Sequence, residues 1–374
     1  MRKSKGIREI AYFDCPGGGQ VFVDGTTAYL GHTLPPHATT ILDVRDPAKP
    51  RVLAELECEH SGAHAHKVQV KDGLMLTNYE AKHYVGTPAP DFVGGIRVFD
   101  VEDPRNPKLI SFWPCAGSGV HRFTFDGRYA YISPEMDGYL GNIVVILDLK
   151  DPTRPEEVGR WWAPGQWLAG GEKPTWEKTD VRCHHPIRRG ERLYVSYWKG
   201  GYFILDISDL GSPVCIAGLD QRNIYPYPTH TVLPLPYRLQ GRDYMVVADE
   251  DTSSRPDNLP GAFVWLIDIE DETNPVPIST FQIEDIDGTP RPVRSGCHQP
   301  VEILRGTEMP VAWFSEGLRV IDLSRPHQLR EVANFVPEPA AGQPQLLSND
   351  VFQDDRGFIY LIDRNQGLHI VERT

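Results

Sequence analysis

Five histidines share one recurring position in the chain, each at the start of an apolar strand: His66 in AHKV, His121 in VHRF, His185 in HHPI, His230 in THTV and His298 in CHQP. Imidazole is the commonest protein ligand for iron, copper, zinc and nickel. Crowded imidazoles with nothing to bind would bury polar groups at a cost, so the set points to a metal site. A second set follows downstream. Glu80 lies fourteen residues after His66, Glu135 fourteen after His121, and Lys199 fourteen after His185. Glu250 and Glu316 take the matching place in the next two repeats, Arg364 in the last and His32 in the first. A carboxylate beside a ligating imidazole can accept its second N–H and fix its tautomer, or act as an acid or base. Lys199 and Arg364 would neutralise a carboxylate, enolate or superoxide. Tyr79 and Tyr197 are near enough in sequence to donate protons.

A scaffold must bring these residues together, and the sequence contains one. An apolar strand ending in Asp, a turn and another strand recur as TTILDVRDPAKPRVLAEL, IRVFDVEDPRNPKLISFW, IVVILDLKDPTRPEEVGRW, YFILDISDLGSPVCIAGL, FVWLIDIEDETNPVPISTF and LRVIDLSRPHQLREVANF. The strand-end aspartates are Asp43, Asp100, Asp148, Asp206, Asp268 and Asp322. Asp in such a place is a turn and capping residue rather than a catalytic one. LHIVERT is a seventh, shortened copy. Two earlier strands joined by an Asp-Gly turn precede this pattern, as in HRFTFDGRYAYISPE and HKVQVKDGLMLTNYE. Four strands per ~50 residues, repeated, is the signature of a β-propeller. The expected fold is all-β: one seven-bladed β-propeller domain over residues 1–374. Its ring is closed by the N-terminal strand IREIAYFDCP, which completes the last blade and removes an exposed edge. The first strand of each blade would then line a central channel and carry the histidines into it.

The strand VVILD or LRVID resembles that of the LVIVD-repeat β-propellers, and the resemblance runs over essentially the whole chain. The arrangement of histidines with outer glutamates is similar to two propeller groups. One is the carotenoid-cleavage oxygenases, which hold iron with four histidines backed by glutamates. The other is the selenium-binding-protein and methanethiol-oxidase group, with histidine motifs implicated in copper binding. The resemblance implies Fe(II) first, with Cu, Mn or Zn as the other metals for His66, His121, His185, His230 and His298. It implies a non-haem iron oxygenase-like oxidoreductase acting on a small apolar or aromatic molecule. A redox-neutral hydrolase, lyase or isomerase with a Glu base is the alternative. A non-catalytic interaction propeller with a structural metal, binding a protein partner or its own copy, is the third reading.

The register leaves choices open. SGAH, SGVH and SGCH would align His64 with His121 and His298, whereas the fourteen-residue spacing favours His66. His184 competes with His185, because neighbours on a strand point to opposite faces. His37, His60 and His64 fall in loops as spare ligands, and Cys183 and Cys297 lie beside candidate ligands. The long loops AKHYVGTPAPDFVGG, APGQWLAGGEKPTWEKTDVR, EDTSSRPDNLPGA and IEDIDGTPRPVRSG fall on the same face, with Trp162, Trp167, Trp176 and Trp198 in or beside them.

Composition narrows the classes. The net charge of −13 argues against a nucleic-acid binder. No run of ~20 apolar residues spans a membrane. The N-terminus lacks the apolar stretch of a secretory signal, and six cysteines without zinc spacing read as reduced thiols, so a cytoplasmic location is expected. No strand–GxGxxG–helix unit supports a nicotinamide or flavin, and no G-x-S-x-G element a serine hydrolase.

Overall fold

The computed structural model describes residues 3–81, 89–176, 180–220, 227–252, 261–283 and 292–374. They cluster into two compact units, one from residues 3–26, 44–50 and 227–374, the other from 27–43 and 51–220. Antiparallel strands dominate both, and the sole helical element among the described residues is a turn of 3-10 helix at Leu168–Gly170. No helix among the described residues is long and apolar enough to cross a membrane.

In the first unit, Thr229–Pro234, Tyr244–Asp249, Val264–Asp268 and Val276–Phe281 pair in chain order. A second sheet runs from Gln299–Pro300 through Glu308–Ala312 and Leu318–Asp322 to Arg330–Val336. Lys3–Lys5 adds a fifth strand to its edge, which the repeat pattern does not announce. A third sheet holds Ser348–Gln353, Ile359–Asp363 and Gly367–Arg373, and its fourth strand is the N-terminal Ile7–Asp14. The N-terminal strand therefore sits where the shortened last copy needs one.

In the second unit, Thr27–His32, His37–Asp43 and Arg51–Glu57 pair in order. Cys183–Arg189, Arg192–Tyr197, Gly201–Asp206 and Val214–Leu219 make a four-stranded sheet. The residues between them form one eight-stranded sheet rather than two separate ones. The cause is the strand Lys108–Phe125, eighteen residues long, which pairs first with Gly94–Asp100 and then with Tyr129–Glu135. Among the described residues the count is thus five sheets of four or five strands and one of eight, not the seven equal blades expected.

Burial follows strand order. Thr229–Pro234 and Tyr244–Asp249 are buried at every residue, which only sheets covered on both faces allow. The last strands, such as Val214–Leu219, are half-buried or exposed throughout. In the second unit Tyr131, Val144 and Ile146 pack against Leu193, Val195 and Leu205 of the next sheet. The repeated aspartates are structural. Asp100, Asp148, Asp206, Asp268 and Asp322 each accept the backbone N–H two residues on, at 2.8–3.0 Å, closing the turn to the last strand.

Two expectations follow from these packing facts. Gly317 has φ +73°, and a Cβ there would run into the Phe335 carbonyl oxygen of the paired strand. Gly317→Ala should cost ~2–3 kcal/mol, read as a lower denaturation midpoint with unchanged slope. His32 is buried with its Nε2 2.9 Å from Thr40 Oγ1. Burial, aided by His37, lowers its pKa to about 4. The unfolded chain takes up that proton below ~6.5 while the folded chain does not. Its stabilising contribution is therefore complete above ~6.5 and is lost as pH falls toward 4, by up to ~3 kcal/mol. Chemical denaturation across that window should show a shallower acid slope in His32→Gln.

Candidate metal centre

β-Bulges make the positions of His121, His184 and His230. Cys183 pairs with Tyr197 and His185 with Ser196, which leaves His184 as the extra residue. Thr229 and Thr231 pair with Asp249 and Ala248 around His230, and Ser348 and Asp350 with Asp363 and Ile362 around Asn349. The register also shifts between Val120 and Phe123, around His121. A bulge leaves one residue out of the ladder and re-aims its side chain. The N–H that the bulge orphans is taken by a polar side chain of the second strand. Asn78 Oδ1 accepts from Lys67 N at 2.8 Å, Ser133 Oγ from Arg122 N at 2.9 Å, and Ser196 Oγ from His185 N at 3.1 Å. His66, His121 and His184 each precede that N–H and are therefore equivalent.

This bears on the open choice between His184 and His185. The structure brings His184 to His121, with their Nε2 atoms 3.0 Å apart. His185 is buried, and burial and then the Lys67 and Arg122 charges hold its pKa well below the ordinary range. A spacing of twelve residues to Asn78, Ser133 and Ser196 singles out His66, His121 and His184, and was the signal available in the sequence.

In the second unit Glu80 organises the site. It is 2% exposed, and its carboxylate lies 2.9 and 3.0 Å from His121 Nδ1 and 3.1 Å from His64 Nε2. Burial alone would raise its pKa, but His121 and His64 outweigh burial and hold it at about 2. An ionised carboxylate only accepts, so His121 donates Nδ1–H and carries a lone pair on Nε2. Burial lowers His121 despite the carboxylate, and lowers His184 further, so both rings are neutral. His64 and His66 join Glu80 in one group of potential ligand atoms, with the His66 ring 5.0 Å from those of His64 and His121.

The first unit holds a second cluster. The His230 and His298 rings lie 4.2 Å apart, and each Nε2 is 3.8 Å from Glu250 Oε2. Their tautomers are set from behind. Gln299 gives its N–H to the Pro300 carbonyl, so its Oε1 accepts the Thr231 hydroxyl, and Thr231 Oγ1 accepts Nδ1–H of His230 at 2.9 Å. The Asn349 carbonyl accepts Nδ1–H of His298. In the neutral rings both Nε2 atoms would therefore carry lone pairs. Phe314 stacks on His298 at 4.3 Å, and the guanidinium carbons of Arg364 and Arg294 stand 5.6 and 5.8 Å from its ring. Arg364 donates Nε–H to Asn349 Oδ1 at 2.7 Å.

Other expected residues are committed elsewhere. Glu135 accepts from Ser118 N and Oγ, and Glu316 pairs with Arg319 at 2.9 Å. The backbone N–H of Lys199 meets the Asp180 carbonyl. Tyr79 accepts from His60 N beneath the Arg97 guanidinium, and Tyr197 donates to Gln166. Burial keeps the Cys183 and Cys297 thiols protonated, as small apolar groups. Trp162 and Trp167 pack with Tyr139, whereas Trp198 stacks on His184 at 4.9 Å. Of the four long loops, residues 82–88, 177–179, 253–260 and 284–291 lie outside the described residues. Asn78, Thr231, Gln299 and Phe314 were not anticipated.

A family model for the LVIVD repeat matches residues 189–219. No curated protein matches the chain. Among solved structures, Raptor of Chaetomium thermophilum aligns at 12% identity with a TM-score of 0.62, covering 100% of this chain but only 30% of that one. Sqt1 of Saccharomyces cerevisiae aligns at 9% identity with a TM-score of 0.57, covering 98% and 88%. A chain of a mitotic checkpoint complex aligns at 9% and 0.62, covering 99% and 95%. At such identities the likeness shows the fold alone, and that fold is an all-β propeller arrangement.

Proposed function

We propose that the histidine clusters hold a transition metal and that the protein is a metal-dependent oxidoreductase acting on a small apolar or aromatic molecule. One observation carries this reading: His121, His230 and His298 each give Nδ1–H to a fixed acceptor and keep Nε2 as a lone pair. That is how proteins orient imidazoles for a metal. The 3.0 Å between the Nε2 atoms of His121 and His184 is also a span that two ligands at ~2.1 Å from one ion can take. Imidazole ligands suit iron, copper and zinc alike, and Fe(II) is taken first, with Cu, Mn or Zn next, on the likeness of arrangement to iron-holding propellers. A bound metal would supply electron transfer or polarise a coordinated oxygen. The chain's own groups do the rest. Glu80 fixes the His121 ring, Asn349 aligns Arg364 for an anionic group, and Trp198 and Phe314 give the neighbouring imidazoles apolar faces.

The redox-neutral alternative needs a carboxylate base. Glu80, held at about 2 and bonded to two imidazoles, is a weak one. Glu135 and Glu316 are engaged by Ser118 and Arg319, so Glu250 is the base that reading would use. The likeness to a chain of a mitotic checkpoint complex is the support for the third reading, a propeller that binds a protein partner. We further read the eight-stranded sheet as two repeats joined by one unbroken strand, which makes seven in all. The six cysteines are free thiols, which fits a reducing, cytoplasmic setting.

Elemental analysis of untagged protein should find a near-stoichiometric transition metal. His121→Ala and His184→Ala should lose the metal of the cluster in the second unit and His298→Ala that of the cluster in the first, whereas His185→Ala should keep both. Unchanged metal content in His121→Ala would sink the reading. Glu80→Gln should bind metal about 10–100-fold more weakly with its fold intact. Substrate-dependent oxygen uptake then separates the oxidoreductase from the redox-neutral enzyme, which consumes none.

A further inference from the structure

We propose that His32 and His37 form a separate metal site, a pair of imidazole nitrogens that takes one soft monovalent ion, Cu(I). The site shares no residue with the two clusters described above and does not depend on their holding a metal.

The observation that carries it is a group of orphaned polar atoms on one hairpin. His32 Nδ1, His37 Nδ1 and Thr39 Oγ1 are all buried, and none has a hydrogen-bond partner. His32 ends the strand Thr27–His32 and His37 begins the strand His37–Asp43, with residues 33–36 turning between them. The two rings lie 5.5 Å apart. Imidazoles that share one ion at ~2 Å each hold their ring centres about 5–6 Å apart, from a bent to a linear arrangement. The rings make no hydrogen bond to each other, since each Nδ1 lacks a partner. An unmade bond at a buried polar atom costs free energy, and one ion between two lone pairs answers both at once.

The remaining contacts of both residues leave these nitrogens available. His32 Nε2 lies 2.9 Å from Thr40 Oγ1. A hydroxyl accepts an N–H as well as it donates, so the ring can carry its hydrogen on Nε2 and a lone pair on Nδ1. That bond also holds the ring from behind, as a ligating histidine requires. Burial, aided by His37, keeps the His32 ring neutral, so no proton has to leave. The backbone is tied down by His32 N to the Ala65 carbonyl at 3.1 Å and Ala65 N to the His32 carbonyl at 3.2 Å. The His37 carbonyl accepts the Cys58 thiol at 3.8 Å.

The choice of ion follows from what is missing around the pair. Among the described residues no carboxylate or thiolate bonds to either ring. The Cys58 side chain packs against Ala63, Tyr79, Ala81 and Phe92, and burial raises its pKa to about 11. Zinc sites are filled by four ligands, and manganese favours carboxylates and water. A divalent charge buried against neutral nitrogens alone would go uncompensated. Cu(I) carries one charge, and two nitrogen donors complete its coordination.

The test uses full-length protein labelled with ¹⁵N-histidine, metal-free and anaerobic. Ag(I) is the probe, because it matches Cu(I) in charge and geometry and its nuclear spin splits a bonded nitrogen. Titration with Ag(I) should split the Nδ1 resonances of both His32 and His37. His37→Phe keeps a ring in place and removes its nitrogens. It should lose the splitting at His32 and bind one Cu(I) fewer per chain in competition with bicinchoninate. Splitting confined to the histidines of the two clusters overturns this proposal and leaves the metal reading standing. Splitting at His32 and His37 with none in the clusters supports this proposal and counts against that reading. Coupling through Nε2 of His32, or a wild-type Cu(I) count in His37→Phe, also overturns the proposal, and an ordered water is then the partner of the orphaned nitrogens. Should His37→Phe fail to fold, the wild-type spectrum decides by itself.

Discussion

Everything in the candidate centre depends on one backbone constraint: a β-bulge near the start of a sheet's first strand, propped open by a side chain from the second. A bulge in a buried sheet orphans an N–H that water cannot reach, and an unmade buried bond costs ~1–3 kcal/mol. Asn78, Ser133 and Ser196 supply the acceptor. With that bond made, the extra residue is held out of the ladder in a fixed orientation. The same device repeated along the chain sets His66, His121 and His184 alike, while a register shift at the same place sets His230 and Asn349.

The second layer is electrostatic. Imidazoles buried this deeply are driven toward neutrality, as the lowered pKa values of His121 and His184 show. Neutrality alone leaves the tautomer undecided, and the tautomer decides what each ring can do. Acceptors placed behind Nδ1 would suit His121, His230 and His298 to the proposed metal. Glu80 combines both levels. It is a buried carboxylate whose charge is kept by the imidazoles that it orients, so its desolvation is offset where it acts.

The repeat makes much of this fold legible. The Asp-led turns form because Asp closes a turn through its own side chain, a purely local interaction, and the five described cases do so alike. The N-terminal strand finds Gly367–Arg373 because the shortened last copy lacks a partner. The eight-stranded sheet was not legible, because nothing local marks the place where Lys108–Phe125 continues instead of breaking between repeats. The choice between His184 and His185 is hard to read from the sequence for a related reason. Counting along a strand assumes an alternation of two, and a single bulge shifts every later residue to the other face.

The sequence by itself determined that short antiparallel strands repeat, where they turn, and that histidines and carboxylates recur at matched positions, since these follow from residue type and local spacing. Only the tertiary structure decided which carboxylate reaches which histidine. Glu80 meets His121 forty-one residues away, whereas Glu135, at the same place in the next repeat, closes on Ser118. It also decided which nitrogen of each ring carries the hydrogen. Those outcomes depend on hydrogen-bond partners brought from other strands, and no count along one strand contains them.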